Sequence, residues 1–119
     1  MAFKRKLTEE PVVKEHFQGG AGHLDIYPIL NGPDEMYHKG RVCSIMKLQP
    51  GCEIGRHRHE GDGEVFYVLS GHGQYLLDGQ YVPVEPGDVL FVDDGEEHAM
   101  RNDDDTEDLV CVAVVLYSK

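Results

Sequence analysis

Hydrophobic and polar positions alternate with a period of two along much of this chain, and this period is typical of β-strands. In residues 41–48, Val42, Met46 and Leu48 fall on one face, and Cys43 and Ile45 fall on the other. Similar runs, rich in β-branched and aromatic residues, predict further strands at residues 24–30, 64–69, 74–77, 80–84, 89–92 and 108–117. Strands that recur about every 8–12 residues are typical of an all-β sandwich or barrel.

Glycine and proline separate these runs and leave no long helical window. The chain has 14 glycines and 6 prolines. Asp78-Gly79 lies between two predicted strands, and this dipeptide favours the tight turn of a β-hairpin. Only residues 1–16 are compatible with a helix or a loose arm. A chain of 119 residues has room for one domain. We therefore predict an N-terminal arm with the first strand or strands in residues 1–30, and a barrel in residues 31–119.

Charge excludes several classes of partner. Twenty-two acidic residues against 11 basic ones give a formal net charge of −11, which argues against a nucleic-acid partner and disfavours an anionic membrane surface. No apolar stretch approaches the roughly 20 residues that cross a bilayer. Without an apolar segment after the first basic residues, the expected location is the cytoplasm. The three widely spaced cysteines suit reduced thiols better than disulfides.

Three histidines and one glutamate form a candidate metal site. His57 and His59 are two residues apart, so on a strand both imidazoles point to the same face. Glycines follow, and they allow the chain to return as a neighbouring strand that carries Glu64. His98 follows a later strand and a tight turn. These spacings permit one site of three imidazoles and one carboxylate, or four polar residues at the rim of a barrel.

This ligand set narrows the chemistry of the ion. Nitrogen and oxygen donors without thiolate suit one divalent transition metal among Mn, Fe, Ni, Co, Cu and Zn. Structural zinc sites are usually closed and contain cysteine. Four protein ligands on a six-coordinate ion leave two positions for water, dioxygen or a chelating substrate.

Two motifs make the chain resemble the cupin superfamily. The first motif is matched by Gly51, His57, His59, Glu64 and Gly71. The second is matched by Gly87, Gly95, His98 and Asn102. Asp93 stands where the second motif has proline, in a turn that carries no ligand. The resemblance implies a double-stranded β-helix (jelly-roll) barrel, similar to germin and oxalate decarboxylase. It also implies that His57, His59, Glu64 and His98 are the metal ligands.

Alternation along the strands predicts which side chains surround that centre. If Glu64 and His98 point inward, so do their neighbours two and four residues away. Arg56 and Arg58 then point outward, because they alternate with the two histidines. The predicted wall of an apolar metal pocket consists of Met46, Phe66, Val68, Tyr75, Phe91 and Met100.

Three functional hypotheses remain open. The resemblance implies a metal-dependent enzyme that acts on a small oxygen-rich metabolite as a dioxygenase, decarboxylase, lyase or isomerase. As its acid or base we nominate Tyr75 or Lys47. The alternative is a non-catalytic cupin that binds a small ligand, such as a carboxylate or sugar derivative, with the help of the metal. The third hypothesis is a cupin that keeps its metal ligands but serves only as a stable scaffold. The apolar run at residues 109–116 and the N-terminal arm also predict a homodimer.

Overall fold

Ten β-strands form nearly all the regular structure of the computed structural model, which describes residues 2–119. Two short 3₁₀ turns, Phe17–Gly19 and Pro33–Met36, lie between the first three strands. The strands are β1 Val12–Glu15, β2 His23–Leu30, β3 Gly40–Leu48, β4 Glu53–Arg58, β5 Asp62–Ser70, β6 Gly73–Leu77, β7 Gln80–Val84, β8 Val89–Val92, β9 Glu97–Arg101 and β10 Leu109–Tyr117. No helix in this part of the chain is long and apolar enough to span a membrane.

The strands pair into two antiparallel sheets. One sheet has the order β1-β2-β3-β10-β5-β8, and the other has the order β4-β9-β6-β7. Strand β10 lies between β3 and β5 in the six-stranded sheet, which explains why its sequence is almost continuously apolar. The prediction of an all-β, double-stranded β-helix fold is confirmed.

One core lies between the two sheets. Leu24, Leu48, Phe66, Tyr75 and Leu109 are each at most 1% exposed and belong to a single apolar cluster with residues from both sheets. Burying one such large side chain contributes roughly 1.5–3 kcal/mol. The core therefore fixes the two sheets against each other and gives the strands that border it a rigid support.

The hairpin predicted at Asp78-Gly79 joins β6 to β7. Both residues have positive φ, 49° and 82°, as a type I′ turn requires. The N-terminal arm contains a strand that the sequence did not indicate, because all four residues of β1 are exposed and its apolar pattern is weak. Strand β1 pairs with β2, so it extends the six-stranded sheet.

A β-bulge in β4 sets the direction of the first two candidate ligands. Ile54 pairs with Met100 and His57 pairs with His98, so β4 has one residue more than β9 between these pairs. Ile54 is buried in the core, and strict alternation from it would turn His57 outward. The extra residue reverses the phase, as a bulge does, and brings His57 to the same side as Ile54.

The turn at Phe17–Gly19 is held tightly against this bulge. Two hydrogen bonds join Ala21 and Glu53, one in each direction. A Cβ atom on Gly55 would lie 2.0 Å from the carbonyl oxygen of Gln18, so only glycine fits at this crossing. The chain before β2 is thereby fixed beside His57.

Candidate metal centre

The four candidate ligands come together inside the fold. His57 lies on β4, His59 directly follows that strand, Glu64 lies on β5 and His98 lies on β9. The Nε2 atom of His98 is 3.1 Å from the Nε2 atoms of both His57 and His59. The Oε1 atom of Glu64 is 3.3 Å from Nε2 of His59 and 3.3 Å from Nε2 of His98. All four ligand atoms lie within 4.8 Å of one another.

Each imidazole is oriented by a partner at its other nitrogen. Nδ1 of His59 donates to Asp62 at 2.6 Å, and Nδ1 of His57 donates to the carbonyl oxygen of Gly55 at 2.8 Å. The hydroxyl of Tyr75 lies 2.9 Å from Nδ1 of His98, where it can accept the ring proton. The Nε2 lone pairs are thereby left to point at one another and at Glu64. Such outer partners fix the tautomer of metal-binding histidines.

This geometry fits a single transition-metal ion. Two nitrogen ligands that lie about 2.1 Å from one ion and at right angles are about 3.0 Å apart, close to the 3.1 Å between the Nε2 atoms. Lone pairs and a carboxylate at these distances repel one another unless a metal ion or a shared proton lies between them. His59, Glu64 and His98 are buried and His57 is half-buried, so water screens this repulsion poorly.

The charges of the site follow from the same contacts. Burial lowers the pKa of His57, which keeps its ring neutral. A hydrogen bond with Glu64 raises the pKa of His59, and Asp62 adds to this effect. Burial alone would raise the pKa of Glu64, but hydrogen bonds with His59 and His98 outweigh it and lower that pKa. Glu64 is therefore an anionic ligand at neutral pH.

A cavity of about 490 Å³ opens beside His57, His59 and Glu64. Its apolar wall includes Phe17, Ile26, Met46, Ile54, Phe66 and Val115. Its polar wall includes Lys14, Gln18, Arg41, Arg58, Glu60 and Asp62. A small polar ligand can therefore reach His57, His59 and Glu64 through a pocket with both apolar and polar walls, as in many small-molecule sites.

The predicted pocket wall agrees with the structure only in part. Met46 and Phe66 line the cavity, and the Phe66 ring stacks on His98 with 5.5 Å between ring centroids. Val68 and Met100 are buried in the core instead of lining the cavity. The prediction for Phe91 is wrong. Its side chain is 57% exposed, because Val65, not Glu64, is its partner across β5 and β8.

Neither nominated acid or base reaches the cavity. Tyr75 lies behind His98, buried in the core, and burial raises the pKa of its hydroxyl far above the ordinary value. Lys47 is on the opposite face of β3, near Asp108 and the ring of Tyr27. The structure therefore gives neither residue contact with a ligand in the pocket.

Sequence reasoning missed two groups of site residues. Asp62 and Arg41 form an ion pair beside His59, and the spacing of Asp62 three residues after His59 was the available signal. The turn that contributes Phe17 and Gln18 to the pocket gives no signal, because a glycine-rich segment looks like a break between strands.

Comparison with known proteins places this chain among cupins. Residues 44–115 match the family model described as "Cupin domain". An oxalate-binding protein of Thermotoga maritima is 39% identical over 111 residues, which cover 93% of this chain and 88% of that protein. The L-ectoine synthase of Teredinibacter turnerae is 27% identical over 110 residues, covering 91% and 80% of the two chains.

Among solved structures, a predicted oxalate decarboxylase of Thermotoga maritima superimposes with a TM-score of 0.87. It is 34% identical, and the match covers 95% of this chain and 99% of that one. Residues 44–115, which match the family model, contain both motifs and all four converging side chains. This chain belongs to the cupin family.

Proposed function

We propose that this protein binds a small carboxylate, such as oxalate, at a divalent transition metal held by His57, His59, Glu64 and His98. The observation that carries the proposal is the convergence of three Nε2 lone pairs and one carboxylate beside an accessible cavity. When bound, such an ion supplies positive charge and open coordination positions for ligand oxygens.

The charge of the cavity supports an anionic ligand. The whole chain has a formal net charge of −11, whereas the cavity wall balances the cations Lys14, Arg41 and Arg58 against the carboxylates Glu60, Asp62 and Glu64, so a divalent cation held there would make the site positive. Cations in a partly desolvated cleft raise the local concentration of anions. The relative from Thermotoga maritima is named an oxalate-binding protein, and we extend that ligand class to this chain.

Calorimetric titration tests the proposal directly. The protein loaded with Mn²⁺ should bind oxalate at one site per chain, and the same protein stripped with a chelator should show no binding heat. Elemental analysis before and after each titration reports whether the ion stays bound. Loaded protein that gives no binding heat with oxalate or with other small carboxylates contradicts the proposal.

A metal-dependent enzyme is the second candidate. Glu60 borders the cavity and is exposed, so its carboxylate can act as an acid or base toward a ligand that lies there. One relative named for its activity is an L-ectoine synthase. Consumption of oxalate by the loaded protein, lost in Glu60→Gln while oxalate still binds, is the result that favours the enzyme.

We also propose that two copies associate through the outer face of the six-stranded sheet. Tyr67, Leu69, Val89 and Phe91 are 45%, 44%, 68% and 57% exposed and lie on neighbouring strands β5 and β8. Adjacent exposed apolar side chains of this size are uncommon on a monomer and mark an interaction surface. A second copy is a self-complementary partner for such a face.

Sedimentation equilibrium should give a dimer at micromolar concentration. Phe91→Glu should shift the protein to monomer, because a carboxylate in the centre of an apolar contact loses its hydration. Tyr37→Glu is the matched control, since Tyr37 is 86% exposed and lies outside the sheet. A monomeric wild type, or a Phe91→Glu variant that remains a dimer, contradicts this association.

A further inference from the structure

We propose that Arg41 selects dianionic ligands by donating hydrogen bonds to a carboxylate in the pocket, and that Asp62 holds its guanidinium in place. This inference rests on the proposed function and adds the group that distinguishes a dicarboxylate from a monocarboxylate. The cavity wall contains Arg41, Asp62, His59 and Glu64 together.

A β-bulge directs Arg41 toward the pocket. Val115 of β10 pairs with Val42 of β3, and Leu116 pairs with Gly40, so Arg41 is the extra residue on β3. In an uninterrupted strand, Arg41 would share the face of Cys43 and Ile45, away from the core. Bulges change the direction of a side chain and are common beside functional sites. Arg41 lines the cavity as a result.

Asp62 anchors one edge of this guanidinium. Its Oδ2 atom accepts a hydrogen bond from Nε of Arg41 at 2.9 Å, and its Oδ1 atom accepts from Nδ1 of His59 at 2.6 Å. One buried carboxylate, 8% exposed, therefore fixes both Arg41 and a candidate metal ligand. The guanidinium is preorganised, so less conformational entropy is lost when a ligand binds.

The other edge of the guanidinium is available to a ligand. Within residues 2–119, Nη1 and Nη2 of Arg41 have no hydrogen-bond partner. The side chain is 45% exposed and lines the cavity. Arg58 is less suited, because its two terminal nitrogens already donate to the carbonyl oxygen of Gly95 and to Glu97. A planar pair of N–H donors matches the two oxygens of a carboxylate.

The chemistry of the pocket then specifies the ligand class. A ligand that meets both the four-residue cluster and Arg41 needs anionic oxygens at two ends. A small dicarboxylate has them, whereas its monoamide has the same shape with one charge fewer. Oxalate and oxamate form such a pair and differ only at one carboxylate.

Calorimetric titration of Mn²⁺-loaded protein with oxalate and with oxamate tests the inference. Wild type should prefer oxalate, and Arg41→Gln should weaken oxalate binding by about ten- to a hundredfold, the loss typical of one charge-assisted hydrogen bond. The ratio of the two affinities should fall toward one, which a general loosening of the pocket does not produce. Arg41→Lys keeps the charge and should recover part of the preference.

Arg56→Gln is the matched control. Arg56 precedes His57 in the sequence and pairs with Glu97, but it does not border the cavity. Its replacement by glutamine changes the net charge by the same amount as Arg41→Gln. This variant should bind both ligands as wild type does. An unchanged ratio of oxalate to oxamate affinity in Arg41→Gln, with metal content equal to that of wild type, overturns the role proposed for Arg41 but leaves the proposed function standing. A wild type that loads metal but binds neither ligand overturns the proposed function as well.

Discussion

Replacing His57 and His59 together by Ala should remove metal binding while the barrel stays folded. The double variant deletes two of the three converging Nε2 atoms and leaves His98 and Glu64, which cannot fill a coordination sphere. Wild type should gain thermal stability when Mn²⁺, Co²⁺ or Zn²⁺ is added, because an ion that binds only the folded state stabilises it by mass action. The variant should show no gain and contain no ion by elemental analysis.

Two further proteins make this result decisive. His38→Ala with His72→Ala removes two imidazoles that are exposed and remote from the cluster, and it should bind metal as wild type does. Glu64→Gln keeps the shape of the buried ligand and removes its charge, so it should weaken metal binding even if the alanine variant unfolds. Undiminished metal content in His57→Ala with His59→Ala, or in Glu64→Gln, contradicts the proposed centre.

The strands, and the placement of His57 and His59 on one face, could be predicted because both depend on local pattern. A period of two defines a strand, and Asp78-Gly79 defines a turn, without any knowledge of strand pairing. His57 and His59 share a face because side chains alternate within one extended segment. The position of His98 opposite His57 needed the family resemblance, since 41 residues separate them and no local rule pairs β4 with β9.

The residues that surround the cluster could not be predicted, because they depend on register. Phe91 looked like part of the wall, but the side on which a β8 residue lies is set by its pairing with β5, which places Phe91 opposite Val65. Arg41 enters the pocket only through a bulge between β3 and β10. A bulge is a mismatch in length between two paired strands, so a single strand's sequence does not show it.

Asp62→Asn should weaken metal binding about ten- to a hundredfold, the usual cost of removing an outer partner of a metal-binding histidine. The carboxylate of Asp62 accepts from both His59 and Arg41, and an amide can replace only one of these acceptors. Burial alone would raise the pKa of Asp62, but His59 and Arg41 outweigh it and lower the pKa, so the group is anionic in the protein. The amide loses that charge, which makes the His59 ring a weaker ligand.

Asp25→Asn separates this effect from the general cost of a buried amide. Asp25 and Asp62 are both buried, with 3% and 6% of the whole residue exposed. Asp25 also lies near a histidine, with 3.5 Å between its Oδ1 atom and Nε2 of His23. It is not part of the cluster or of the cavity wall. Competition against a fluorescent chelator should give wild-type metal affinity for Asp25→Asn and the loss for Asp62→Asn. Equal affinities in the two variants show that Asp62 contributes to folding alone, because a positioning residue must change the affinity of the ligand that it orients.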